Sequence, residues 1–118
     1  MDAAQALADL TEISSQIEAA VLFDETGEIA ASTLDGEERS RELAQAAANL
    51  LQAAERVQAG GDSLTQLEAA TLEGSVFVVR DGARRIVATT GRNPTVGLVF
   101  YDLKSALRGV AEDGDGAS

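Results

Sequence analysis

The sequence of 118 residues contains no cysteine and no histidine, and this absence removes much chemistry from consideration. Without them there are no disulfides and no thiol nucleophile, and the usual zinc sites and histidine-based acid–base catalysis are excluded as well. Tryptophan is also absent, and the aromatic residues are one tyrosine and three phenylalanines. So few aromatic side chains leave little material to line a ligand pocket.

Positive charge is scarce too, because nine Lys and Arg face 20 Asp and Glu, which gives a formal net charge of −11. Binding to nucleic acid or to anionic lipid requires clustered basic residues, so we expect neither as a partner. Two explanations of the acid excess stay open, a basic protein partner and a salt-adapted host. No apolar run approaches the ~20 residues of a membrane span, and the N-terminus lacks a signal-peptide pattern, so we expect a cytoplasmic protein.

The most informative segment that is present is an alanine-rich helix predicted over Glu37–Gln58. Its start is marked by Asp35, which stands three residues before Glu38 in the pattern of a capping box. Acidic residues in the first turn also favour a helix start, because they interact well with the helix dipole. Gly60 and Gly61 mark the exit of the helix.

Apolar residues follow two lines along this helix, although docking on one sheet requires only one. The first line is Leu43, Ala47, Leu50, Ala54 and Val57, and the second is Ala44, Ala48 and Leu51, with Ala46 and Ala53 in the gaps. A helix that is apolar on two sides is usually sandwiched, and in so small a chain we expect the second partner to be the same helix of a twin subunit. Alanine is also the best helix former, so composition alone is the competing interpretation.

The rest of the chain divides into short predicted elements separated by turn signals. These elements are a helix over 2–15, strands over 17–24, 28–33, 64–72, 75–80 and 84–90, and a last helix from Pro94 to about Arg108. Asp24-Glu25-Thr26-Gly27 predicts a hairpin turn, and Glu73-Gly74 and Asp81-Gly82 predict the turns of an antiparallel meander. Asn93-Pro94 predicts an N-cap with proline at the first helical position.

This order of elements, helix–strand–strand–helix–strand–strand–strand–helix, predicts an α+β domain over residues 1–109. A five-stranded antiparallel sheet with the central helix on one face and the terminal helices on the other would bury every apolar stripe. Residues 110–118 form an acidic, glycine-rich tail that we expect to be disordered. The chain is therefore predicted to be one domain followed by a tail.

Three stretches of the sequence resemble the Roadblock/LC7 family. The stretch IEAAVLFDETGEIAAST is similar to the family's opening hairpin, and ELAQAAANLLQAAERV is similar to its alanine-rich central helix. The segment LTQLEAATLEGSVFVVRDGARRIVATTGRNPTVGLVFYDLKSAL resembles the three-strand meander and the last helix. Together they cover about residues 5–108, with one departure at Glu18-Ala19, where the family more often has a glycine. The resemblance implies the family's profilin-like layering of sheet and helices.

The resemblance also implies a homodimer, in which the central helices pack together and the third strands pair across the two subunits. The residues support this independently, because an edge strand over 64–72 that contains no proline is open to pairing. The residues expected at the dimer interface are Ala44, Ala47, Ala48, Leu51, Ala54, Leu64, Gln66 and Glu68.

The resemblance further implies a Ras-like small GTPase as partner, regulated by this chain as an activating or scaffold protein that supplies no catalytic residue. The residues expected to contact this partner are Glu42, Gln45, Asn49, Gln52 and Arg56. The chain lacks a G-x-x-x-x-G-K-[ST] loop and is therefore not itself a GTPase. We expect no enzyme activity, no cofactor and no metal. The alternative function is a small-molecule-sensing domain or a general adaptor without a GTPase partner.

Four of the basic residues cluster within a short stretch and are a weaker candidate for a site. They are Arg80, Arg84, Arg85 and Arg92. In so acidic a protein they would form a local positive patch for a carboxylate-rich partner. The simpler interpretation is that they are solvated strand-end arginines, each paired with neighbouring acids at little gain in stability.

Overall fold

A computed structural model describes residues 2–57 and 66–117, with side chains to residue 110 in the last helix. Within these residues the chain forms three helices, α1 (Ala3–Ile13), α2 (Glu37–Val57) and α3 (Val96–Ala117). The strands there are β1 (Ile17–Asp24), β2 (Ile29–Ser32), β3 (Gln66–Ala70), β4 (Ser75–Asp81) and β5 (Arg84–Thr90). The predicted order of elements is confirmed. The predicted helix exit at Gly60-Gly61 lies outside the described residues.

The five strands form one antiparallel sheet in the order β2-β1-β5-β4-β3. Two of the predicted turns have the backbone that their glycines allow, with φ 89° at Gly27 and φ 62° at Gly82. At the first turn, the amide of Gly27 donates to the carbonyl of Asp24 at 3.0 Å. β5 has a partner on each side, which leaves β2 and β3 at the two edges of the sheet.

Side chains alternate along the strands, so the sheet supports a separate core on each face. Leu22 packs in the core that also contains residues of α1 and α3, while its neighbour Phe23 packs in the core that contains residues of α2. In the first core the rings of Phe77 and Phe100 meet edge to face, with centroids 5.0 Å apart. The predicted placement of the central helix on one face and the terminal helices on the other is confirmed. Among the described helices, none has the length and apolar character to cross a membrane.

The start of α2 differs by one residue from the predicted cap. Gly36, with φ 91°, directly precedes the first helical residue. The Gly36 carbonyl lies 3.4 Å from the amide nitrogen and 3.1 Å from the hydroxyl of Ser40. Asp35 therefore stands one position outside the place that the capping pattern predicted for it.

α3 differs from its prediction at both ends. It begins at Val96 rather than at Pro94, because Asn93 adopts a left-handed backbone with φ 56°. The carbonyl of Thr95 accepts a hydrogen bond of 3.0 Å from the amide of Val99. The helix then continues to Ala117, past the predicted end near Arg108. The last residues of this helix overlap the predicted tail at 110–118, whose disorder stays a prediction.

Candidate protein interaction surface

α2 docks on the sheet through a narrow line of small side chains. Its buried residues are Ser40, Ala44, Ala47 and Leu51. The three apolar ones share a core with Val78 and Val87, and Ala47 has no exposed surface at all. The Ser40 hydroxyl lies 2.7 Å from that of Ser32, so this buried polar group is satisfied.

Three residues expected at the dimer interface therefore belong to the protomer's own core. Ala44, Ala47 and Leu51 face the sheet and are at most 4% exposed, so within one protomer they present almost no surface to a second copy. Successive residues of a helix are rotated by about 100° about its axis. The buried line that faces the sheet therefore includes Ala47 from the first predicted apolar line and Ala44 and Leu51 from the second. Ala48 and Ala54 are half-buried beside this line.

A second apolar stripe runs along one flank of α2, beside the line that faces the sheet, and one of its members, Leu43, also packs against the core. We call it the α2 flank, and its residues are Leu43, Ala46, Leu50, Ala53 and Val57. The two alanines are exposed, the two leucines are half-buried, and Val57 is 83% exposed. Their spacing of three and four residues is that of the seam between paired helices in a coiled coil. The α2 flank is thus the apolar surface of this helix that lies largely outside the protomer's core.

β3 lies at the edge of the sheet and pairs with β4 on one side. Gln66 is half-buried opposite Val79 in the register, and Glu68 is exposed opposite Phe77. Leu67 packs against the core on the α2 face. The third-strand residue Leu64, which was also expected at the dimer interface, lies outside the described residues. An edge strand presents unpaired backbone N–H and C=O groups that another strand can use.

The side of α2 that points away from the sheet is polar. All of the residues expected to contact a partner are exposed there: Glu42, Gln45, Asn49, Gln52 and Arg56. The side-chain amide of Gln45 donates to Asn49 Oδ1 at 3.1 Å, which is one helical turn away. Their exposure agrees with the expected role, and the role itself stays a prediction.

The four clustered arginines do not form one positive patch. Arg80 makes an ion pair with Glu55 of α2. Arg85 donates to the carbonyls of its own turn, at 3.0 Å and 2.7 Å. Arg92 follows the end of β5, whereas Arg84 begins that strand, so these two lie at opposite ends of the sheet. The structure therefore favours the simpler interpretation, in which these residues are strand-end arginines that interact with neighbouring groups, over a positive patch for a partner.

A cleft of about 580 Å³ lies between the β1–β2 turn and the start of α2. Ile29 and Leu34 supply apolar lining, while Glu28, Glu37 and Arg41 supply charge. Arg41 pairs with Glu37 at 3.1 Å, one turn apart on the exposed surface of the helix. All of the lining residues lie between Gly27 and Arg41, but the sequence does not reveal the cleft, because the directions of their side chains depend on how the turn, β2 and α2 are arranged.

Asp24 holds the β1–β2 turn through one carboxylate oxygen. Its Oδ1 accepts hydrogen bonds from the hydroxyl of Thr26 at 2.6 Å, from the Thr26 amide at 2.8 Å and from the Glu28 amide at 3.1 Å. The Thr26 hydroxyl is the main cause that holds the pKa of Asp24 below its ordinary value of 3.8, and the charge of Arg85 adds to it. This carboxylate has a structural role in the turn.

No family model and no curated protein matches the sequence, whereas solved structures match the fold. A Roadblock/LC7 domain from Streptomyces avermitilis aligns with a TM-score of 0.82 and 16% identity, over 95% of this chain and 97% of that chain. MglB from Myxococcus xanthus aligns with a TM-score of 0.73 and 15% identity, over 98% and 86%. A structure of MglB with a tetrameric arrangement aligns with a TM-score of 0.74 and 18% identity, over 97% and 90%. This chain therefore has the Roadblock/LC7 fold.

Proposed function

We propose that this protein is a non-catalytic, homodimeric interaction module that regulates a Ras-like small GTPase in the cytoplasm. The observation that carries the proposal is the α2 flank, an apolar stripe at coiled-coil spacing in a chain with the Roadblock/LC7 fold. The tetrameric arrangement of one MglB structure supports self-association of this fold. The GTPase partner rests on the resemblance of the sequence to the Roadblock/LC7 family.

The α2 flank has the dimensions that a dimer interface needs. From Leu43 to Val57 it is about 21 Å long at 1.5 Å per residue. Ala46 and Ala53 let a second helix approach closely, and Leu43 and Leu50 provide the larger side chains that interdigitate between helices. Together with pairing of β3 to its copy, two such flanks would bury the ~1,000 Å² that a specific interface requires.

A dimer built in this way would place two polar α2 surfaces side by side. Glu42, Gln45, Asn49, Gln52 and Arg56 would then form a surface twice as wide as that of one protomer, and we propose that the GTPase binds there. As the resemblance to the Roadblock/LC7 family implies, the module would supply no catalytic residue and would act by positioning residues of the GTPase itself.

Light scattering on two matched variants tests the dimer. The flank variant Ala46→Glu/Leu50→Glu would place carboxylates in the seam, where they are poorly solvated, and is expected to be a folded monomer. The outer variant Gln45→Glu/Asn49→Glu adds the same charge at the same spacing on the polar side. This variant and the unaltered protein should both have twice the chain mass of 12.2 kDa at micromolar concentration. A flank variant that stays dimeric, or an unaltered protein that is monomeric, would contradict the proposal.

The outer variant also tests the GTPase surface, because it keeps the dimer while it changes the proposed contact residues. We expect the unaltered dimer to retain a Ras-like small GTPase from the same organism on a column and to change its rate of GTP hydrolysis. The outer variant should lose both effects. A variant that retains the GTPase equally well would remove this surface from the proposal and leave the dimer intact.

The cleft beside the β1–β2 turn supports a second candidate function, the sensing of a small molecule. Its volume of about 580 Å³ falls in the range of ligand sites. A ligand that binds only the folded state raises the Tm in proportion to the logarithm of its concentration. A thermal-shift screen would therefore reveal such a ligand, and Arg41→Glu, which reverses the charge of an exposed lining residue, should weaken the shift.

A further inference from the structure

A groove of about 360 Å³ lies between α1 and α3, on the face of the sheet opposite α2. Leu10 contributes buried apolar lining, at 3% exposure. Ile13 and Tyr101 also line the groove and are 73% and 65% exposed. Leu98, one turn before Asp102 on α3, is 50% exposed. Large apolar side chains that stay exposed together beside a groove are typical of a binding surface.

Asp102 is the unusual residue in this lining. It is 8% exposed, and within the described part of the chain no hydrogen bond or ion pair reaches its carboxylate, whose oxygens keep contact with solvent at the groove, since Ser14 Oγ is the one fully buried side-chain polar atom without a partner among the described residues. The other carboxylate in the groove, that of Asp9, accepts a hydrogen bond of 3.0 Å from Gln5. The carboxylate of Asp102 is thus open to the groove and can accept a hydrogen bond from a group that enters it.

We propose that this groove binds an amphipathic helix of a partner protein, which inserts a lysine or arginine side chain toward Asp102. The charge of the groove determines the chemistry of the occupant, because two carboxylates line it and none of its described lining residues is basic. A cationic side chain would give Asp102 the charge-assisted hydrogen bond that it lacks in the free protein. The apolar part of the incoming helix would cover Ile13 and Tyr101, as in other helix-in-groove complexes.

This site is independent of the proposed dimer. α1 and α3 pack on one face of the sheet and α2 on the other, so the groove stays open when two α2 flanks meet. Binding to the groove should therefore be the same in the unaltered protein and in the monomeric variant Ala46→Glu/Leu50→Glu. Failure of one proposal thus leaves the other standing.

The fluorescence of Tyr101 can be used to measure binding in this groove. Tyr101 is the single tyrosine of a chain that has no tryptophan, so tyrosine emission comes from the groove alone. The probe is a synthetic amphipathic helix of about 18 residues. It contains leucine, alanine and glutamine, one lysine in the apolar face, and neither tyrosine nor tryptophan. Its counterpart has glutamine in place of that lysine. We expect the lysine peptide to protect Tyr101 from acrylamide quenching and to bind about tenfold more tightly than its counterpart.

Two protein variants identify the group that recognises the lysine. Asp102→Asn keeps the shape and removes the charge, so the preference for the lysine peptide should disappear. The Tm of this variant should stay close to that of the unaltered protein, because the carboxylate oxygens of Asp102 reach solvent. Glu25→Gln removes one carboxylate from the exposed β1–β2 turn and should change neither the preference nor the Tm.

Three results would overturn the proposal. The first is a preference for the lysine peptide that survives in Asp102→Asn, and the second is a Tyr101 that neither peptide protects. The third is tyrosine quenching that depends on protein concentration in the absence of peptide, which would assign the groove to a second copy of this chain.

Discussion

Gly74 lies so close to the backbone of β5 that no side chain fits at this position. A Cβ on Gly74 would lie 2.1 Å from the carbonyl oxygen of Thr90, and backbone cannot move aside as a flexible side chain can. The amide of Thr71 donates to the Gly74 carbonyl at 2.7 Å, which holds the β3–β4 turn against this strand. The glycine that the sequence marked as a turn residue thus serves a close approach of two backbone segments.

Gly74→Ala should lower the free energy of unfolding by about 2–3 kcal/mol, because the turn and β5 must separate. Gly97→Ala is the matched control, since no atom lies within 4 Å of a Cβ built there. Gly97 is exposed within α3, and alanine should raise the free energy of unfolding by about 0.5–1 kcal/mol. Urea unfolding measures both, and equal effects of the two substitutions would contradict the close approach at Thr90.

The charge of Asp24 should make the fold less stable as the pH falls into the acidic range. Because the pKa is lowered in the folded state, the carboxylate stabilises the fold above its unfolded pKa near 3.8. This contribution is lost as the pH falls below 3.8 through the lowered folded value. Asp24→Asn should therefore be less stable than the unaltered protein at pH 7, and the difference should vanish near pH 2. Urea midpoints at the two pH values measure it, and a difference that stays constant would assign the effect to shape rather than charge.

At the scale of one element, α2 has two apolar surfaces with different tasks. The line through Ala47 and Leu51 holds the helix on the sheet, and the α2 flank is the surface that we propose for the dimer. The small residues of the buried line explain how a helix sits so close to strands rich in valine. A variant intended to test the dimer must therefore avoid this line.

Ala47→Glu/Leu51→Glu should unfold the protein rather than dissociate it. Each substitution puts a carboxylate into a core position that is at most 4% exposed, at a cost of about 3 kcal/mol or more. The sum approaches the entire stability of a typical domain. Circular dichroism should show lost helix in this variant and native helix in Ala46→Glu/Leu50→Glu. A folded monomer from both pairs would mean that the seam includes the buried line.

At the scale of the whole molecule, charge of one sign dominates. A net charge of −11 on 118 residues creates self-repulsion in the compact state. The Arg80–Glu55 ion pair between β4 and α2 is partly shielded from solvent, so salt should weaken it less than it weakens the repulsion between exposed acids. Added salt is therefore expected to stabilise this fold.

The Tm should rise by a few degrees between about 10 mM and 500 mM NaCl, and KCl should act equally because screening depends on ionic strength. Differential scanning calorimetry measures the change, with sucrose as an uncharged control for solute effects. A Tm that falls with salt would show that ion pairs outweigh the repulsion. A rise that occurs only with one cation would indicate specific ion binding instead.

The sequence by itself determined the order of the elements, the antiparallel hairpins and the layered fold. These follow from local patterns: apolar runs such as 17–24, turn glycines such as Gly27 and Gly82, and an acidic start to α2. Helix and strand periods depend on neighbours a few residues apart, and the chain displays them directly. The length of the last helix was misjudged, because the Asp and Gly residues after Arg108 discourage a helix locally and the continuing hydrogen bonds of α3 outweigh them.

Only the tertiary structure decided which side of α2 faces the sheet and which residues share a surface. The buried line and the α2 flank are separated by about 100° of rotation about the helix axis, and the sequence alone does not say which of the two meets the sheet, so Ala44 and Leu51 were expected at the interface and lie in the core. The cleft at the β1–β2 turn and the groove at Asp102 each combine residues of two elements. Burial of Asp102 depends on how closely α1 packs beside α3, and the local sequence contains no information on the separation of these two helices.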